Sequence, residues 1–198
     1  MAISRFSTSR VGAGLPKYQK FWDGSTVYIP PSFYSIQTAT VDSGGTTSIE
    51  FTSIPNTYKH LQLRFNTANT SSQVYIRLQF NSDTGSNYAW HEFYGDGSSA
   101  TATSGTSDTQ IMLGRNAYST NVRTGGVVDI LDYTNTNKYK TTRSLSGFNS
   151  NDTDNGNQKI ELVSGLWMST NAINSIKVYA SGGDITSVSQ WSLYGIKA

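Results

Sequence analysis

The chain has 198 residues, enough for one large β domain or one domain with an appendage, and only 14% of them are charged where soluble proteins average about 25%. Its 12 Tyr, 8 Phe and 4 Trp exclude the composition of a disordered chain, and the absence of cysteine excludes disulfides, thiolate metal sites and cysteine nucleophiles. The net charge of +2 is unevenly placed: Arg5, Arg10, Lys17 and Lys20 precede the first acid, Asp23, so a basic stretch leads into a mildly acidic body.

Residues 1–31 read as an N-terminal arm or anchor. They hold no sustained period, contain Gly12 and Gly14, and carry the aromatic cluster Tyr18, Phe21 and Trp22 before the turn signal Asp23-Gly24. Phe21 and Trp22 are costly to leave in water, so the segment is expected to pack on something. Arg5, Phe6, Arg10, Lys17, Tyr18, Lys20, Phe21 and Trp22 are its expected partner-binding residues. Pro30-Pro31 ends the arm, and residues 32–198 are expected to form a β domain.

Beyond the prolines the chain is a succession of short alternating runs. In Gln73-Val-Tyr-Ile-Arg-Leu-Gln-Phe, the side chains of Val74, Ile76, Leu78 and Phe80 share one face, and in Lys59-His-Leu-Gln-Leu-Arg-Phe, Leu61, Leu63 and Phe65 do the same. Period-two alternation of this kind marks a half-buried strand. Further strands are predicted at Ile36–Val41, Ser48–Ile54, Tyr88–Tyr94, Thr109–Leu113, Gly126–Tyr133, Tyr139–Phe148, Lys159–Val163, Ile173–Ala180 and Gln190–Ile196. Turn signals such as Ser43-Gly-Gly, Gly95-Asp-Gly and Ser181-Gly-Gly-Asp separate them. Ser98–Asp108, almost entirely Ser, Thr, Ala and Gly, is expected to be a flexible surface loop. No segment sustains a helical stripe. The prediction is an all-β fold, an antiparallel two-sheet sandwich of jelly-roll type with about ten strands and an extended N-terminal arm.

Residues able to carry chemistry are few. His91 and Glu92 are neighbours in a strand and point to opposite faces, so they cannot act as an acid–base pair. His60 falls on an outward face. Asp129 and Asp132 lie three apart in a strand, and Asp152 and Asp154 sit in loop-like sequence, so neither pair has the shared face that glycoside hydrolysis needs. In Asn149–Asn157 the glycine comes one position early for a calcium-binding hand loop, and Glu161 falls short of the distal position. Phosphate-binding loops are absent, and four cations over the arm are too few for a nucleic-acid groove. No catalytic residue, metal, cofactor, nucleic acid or membrane partner is therefore expected. Aromatic residues on a β scaffold can form a sugar platform; Tyr75, Tyr88, Trp90, Tyr94, Trp167 and Trp191 are candidates, and Tyr75, Trp90 and Tyr94 are the expected contacts if one exists.

Several stretches span nearly the whole chain: Gly14-Leu-Pro-Lys-Tyr-Gln-Lys-Phe-Trp-Asp-Gly, Ile49-Glu-Phe-Thr-Ser-Ile-Pro-Asn-Thr-Tyr-Lys-His-Leu-Gln-Leu-Arg, Phe80-Asn-Ser-Asp-Thr-Gly-Ser-Asn-Tyr, Asp129-Ile-Leu-Asp-Tyr-Thr-Asn-Thr-Asn-Lys-Tyr-Lys-Thr and the closing Leu193-Tyr-Gly-Ile-Lys. In these the sequence resembles a family of small virion-associated proteins of marine and cyanobacterial tailed phages. The resemblance implies a phage structural protein, assembled in the host cytoplasm and located in the virion. A capsid decoration or cement protein docked on the major capsid protein, or on another virion protein, through its arm is the first expectation. It would be a homo-oligomer, with a trimer matching capsid threefold sites. A tail-fibre or receptor-binding module recognising host carbohydrate is the second expectation, and a hydrolase on a β sandwich the third.

Overall fold

The computed structural model describes residues 32–71, 74–118, 122–150, 158–187 and 189–197. Contacts along the chain divide it between Ser32 and Phe33. The arm of the sequence reading, with its eight expected partner-binding residues, lies outside the described residues, as do Asp152 and Asp154. The domain from Phe33 onward is described by itself.

Every regular element among the described residues is a strand. In chain order they are β1 (Phe33–Thr40), β2 (Ser48–Phe51), β3 (His60–Asn69), β4 (Tyr75–Phe80), β5 (Tyr88–Gly95), β6 (Ala100–Asp108), β7 (Ile111–Arg115), β8 (Ala117–Tyr118), β9 (Thr124–Leu131), β10 (Lys140–Asn149), β11 (Gln158–Trp167), β12 (Ile176–Ala180) and β13 (Gln190–Ile196). The large sheet runs β1-β13-β3-β9-β10-β11-β5-β6, and the short β8 adds to β3 in parallel. The small sheet runs β2-β12-β4-β7. Apart from β8 every pairing is antiparallel, so the predicted two-sheet antiparallel sandwich is the fold.

Alternation builds the core as the sequence reading anticipated. Leu61, Leu63 and Phe65 on β3 and Ile76, Leu78 and Phe80 on β4 all point inward and are buried. They meet Phe51, Val128, Ile130, Val178, Trp191 and Leu193 in one continuous cluster. Phe65 stacks on Trp191 with ring centroids 4.3 Å apart. Gly126 makes room for that ring: a Cβ there would lie 2.2 Å from Phe65 Cζ.

One expectation is overturned. Ala100–Asp108 forms edge strand β6 instead of a loop, paired with β5 from Gly95↔Ala100 to Tyr88↔Asp108. Its small residues show no alternation because this edge strand has little to bury. Backbone pairing holds it, together with the Trp90 indole, which lies against Gly105 and donates from Nε1 to Asp108 Oδ2 at 2.9 Å.

Strand β7 comes within 8 Å of β10, β11 and β5, closer than the roughly 10 Å between ordinary stacked sheets. The inner positions of β10 facing it are Thr142, Ser144 and Ser146, and Gly165 on β11 receives the Ile111 side chain. Ser144 Oγ donates to the Leu113 carbonyl at 2.7 Å.

Candidate functional site

Where β7 presses against the large sheet, the inside-out rule of a sandwich reverses on three adjacent strands. Glu92 on β5, Glu161 on β11 and Ser144 and Ser146 on β10 point inward and are buried. Their sequence neighbours Phe93, Ile160, Leu162 and Leu145 point outward and are exposed by 56%, 65%, 53% and 49%. A one-residue slip of any of these strands would exchange the two sets. The interior therefore gives the reason why it does not happen.

That reason is Arg115. A bulge in β7 at Leu113, where Ile76 pairs with Gly114 and Arg77 with Met112, redirects the strand end. Gly114 adopts φ 130°, and a Cβ there would lie 2.1 Å from Ser146 Oγ, so glycine is required twice over. Arg115 Nη1 then donates to Glu92 Oε1 at 2.8 Å and to Glu161 Oε1, and its backbone N–H donates to Glu161 Oε2 at 2.6 Å. The guanidinium lies between the Tyr75 and Tyr94 rings, 4.8 and 4.5 Å from their centroids. Burial pushes the Glu92 carboxyl up to about 7; Arg115 opposes this, and a hydrogen bond with Glu161 adds to it. Two carboxylates and one guanidinium, almost out of reach of water, form a closed network that fixes the register of β5, β7 and β11.

On the opposite surface of the same strands the register aligns a row of apolar side chains: Val127 on β9, Leu145 on β10, Leu162 on β11, Phe93 on β5 and Ala102 on β6. One row further along lie Gly125, Gly147, Ile160, Gly95 and Ala100. The glycines leave Ile160 standing beside a shallow open groove of about 800 Å³, lined by Gly95, Gly125, Gly126, Gly147, Leu145 and Ile160 among others. At Gly125 a Cβ would meet nothing within 4 Å, so the fold of the domain does not demand glycine there. An unforced glycine in a strand weakens it and often marks a place where another chain approaches closely. Beyond β9 the apolar row stops at Arg64, whose guanidinium lies 5.0 Å from the Tyr194 centroid.

The sequence-level candidates are placed differently. Tyr75 and Tyr94 meet at Arg115, while the Trp90 ring lies against Gly105 of β6. Tyr88, Trp167 and Trp191 belong to the core. His91 is exposed and Glu92 buried, on opposite faces as the alternation required. His60 Nδ1 accepts from the Asp132 backbone N–H at 2.9 Å. Asp129 accepts from Gln62, whereas Asp132 sits in the turn after β9 with Lys59 and Lys138. Among the described residues no group of three or more His, Asp or Glu gathers to hold a metal ion, and no helix is long and apolar enough to cross a membrane. No protein-family model, curated protein or solved structure matches the chain.

Proposed function

We propose that the chain is a structural protein of a tailed-phage virion, a capsid decoration or cement protein whose β domain assembles through the outer face of its large sheet. The observation that carries the reading is the reversal on β5, β10 and β11, which presents Phe93, Leu145, Ile160 and Leu162 together on one surface. These four expose on the order of 400 Å² of apolar surface, within the range of about 300–600 Å² for the largest patch on ordinary monomers, which is often functional. Contiguous apolar surface rimmed by polar residues suits contact with another protein. The resemblance to virion-associated proteins supplies the particle, and the major capsid protein, met through the N-terminal arm, is the proposed partner there.

The test is quantitative mass spectrometry of gradient-purified particles bearing the natural chain or Leu162→Asp. We expect many copies of the natural chain per head, and at least tenfold fewer of the variant, with its folded circular-dichroism spectrum retained. Absence of the natural chain from particles, its confinement to tails, or undiminished incorporation of Leu162→Asp would overturn the reading.

A further inference from the structure

The outer face of β9, β10, β11 and β5 has a symmetry of its own. Consider a two-fold axis parallel to the strands, midway between β10 and β11 and above the sheet. A second copy related by it lays β10 over β11 and β9 over β5. The cross-strand register then fixes which residues face one another. Leu145 meets Leu162, and Val127 meets Phe93. Ile160, the most exposed of the large apolar side chains, meets the bare backbone of Gly147, and Gly125 meets Gly95. Leu145, Leu162, Val127 and Phe93 form an apolar contact across the axis, and at Ile160 a large side chain falls opposite bare backbone, as in the inner faces of a sandwich.

Charge agrees with shape. Neither apolar row carries a charged residue from β9 to β6, so self-pairing buries no like charges against each other. In the next row, Asp129, Arg143, Ser164 and His91 align from β9 to β5. The same axis sets Arg143 over Ser164 and Asp129 over His91, a donor against an acceptor in each case. The axis pairs the four strands from β9 to β5, about 19 Å across at roughly 4.8 Å per strand, and sets β6 of each copy over β3 of the other, which together are broad enough for the roughly 800 Å² per partner of a standard interface.

We propose that two copies of this chain pair face to face through β9, β10, β11 and β5, with Ile160 of each copy seated over Gly147 of the other. The pairing rests on the reading of this face as an assembly surface and names a second copy as its occupant. It gives a two-fold unit in place of the threefold one that capsid symmetry alone suggested.

Sedimentation equilibrium of the full chain tests it, with a mass of twice 21.6 kDa expected at micromolar concentration. Gly125→Glu is the diagnostic variant: its side chain has open room in the single copy, but pairing would bury its carboxylate against the bare backbone of Gly95 in the second. We expect at least tenfold weaker self-association with an unchanged or higher Tm. Because the chain has no cysteine, a single Ser164→Cys near the axis should be joined to its mate by a short bis-maleimide, and Ser192→Cys, three strands from β10 on β13, should not. A monomer at about 100 µM, a trimer mass, unaltered association of Gly125→Glu, or cross-linking through Ser192→Cys would each overturn the pairing. A monomer whose Leu162→Asp variant still fails to enter particles would overturn the pairing alone and leave the assembly reading standing.

Discussion

Arg115 is the residue on which the interior of the domain turns. It has only 8% exposure and answers two buried acidic side chains, so removing it leaves Glu161 and Glu92 without their counter-ion. Arg115→Met is expected to cost about 3–5 kcal/mol, the usual penalty for breaking a buried ion pair from one side, measurable by urea denaturation. Glu92 supplies a pH signature. Its carboxyl is held at about 7 in the folded chain against an ordinary 4.5, so the native state keeps a proton that the unfolded chain releases between those values. The corresponding stability is fully present below about pH 4.5 and is lost as pH rises through about 7; a displacement of this size corresponds to roughly 3 kcal/mol. Asp132, held at about 2 by Lys138 and Lys59, changes protonation only well below this window. The Tm should therefore fall by several degrees between about pH 5 and about pH 8, and Glu92→Gln should remove most of that slope; a Tm independent of pH in the natural chain would contradict it. The sequence placed His91 and Glu92 on opposite faces correctly. It could not reveal their partner, because Arg115 lies far along the chain and reaches Glu92 and Glu161 only through the Leu113 bulge, which leaves no trace in hydrophobic alternation.

Among the strands, legibility followed alternation. β3 and β4 announce themselves because every inward residue is apolar, and nine further strands were marked by apolar runs between turn signals. β6 escaped because its stability comes from backbone pairing and from a tryptophan on the neighbouring strand, neither of which its own composition records. Trp90→Ala should accordingly free this edge: amide exchange over Thr101–Asp108 is expected to rise at least tenfold while that of β9, β10 and β11 stays unchanged, as read by hydrogen-exchange mass spectrometry. β10 and β11 were found as strands, but their orientation was not legible. Ser144 and Ser146 face inward because β7 runs too close for larger side chains, and Glu161 faces inward because Arg115 draws it there. The paired glycines of β9 separate the two reasons a strand keeps glycine. Gly126→Val would drive a side chain into the Phe65 ring and should cost on the order of 3 kcal/mol, whereas Gly125→Val meets open space and should leave Tm the same or higher.

Across the whole domain, the two sheets cover each other unequally. Four strands cannot cover the inner face of a sheet twice as wide, and close approach of β7 pulls polar residues inward at β5, β10 and β11. The same shift turns four large apolar side chains outward, joining the interior network to the proposed assembly surface through strand register. The virion setting comes from resemblance, and the surface comes from the fold. A cryo-electron-microscopy map of the purified virion, at a resolution that traces strands, tests both together. The account predicts the sandwich on the capsid with Phe93, Leu145, Ile160 and Leu162 buried against a second copy or a capsid protein. A map with that face open to solvent and the domain held by other surfaces, or with no sandwich on the capsid, would contradict it.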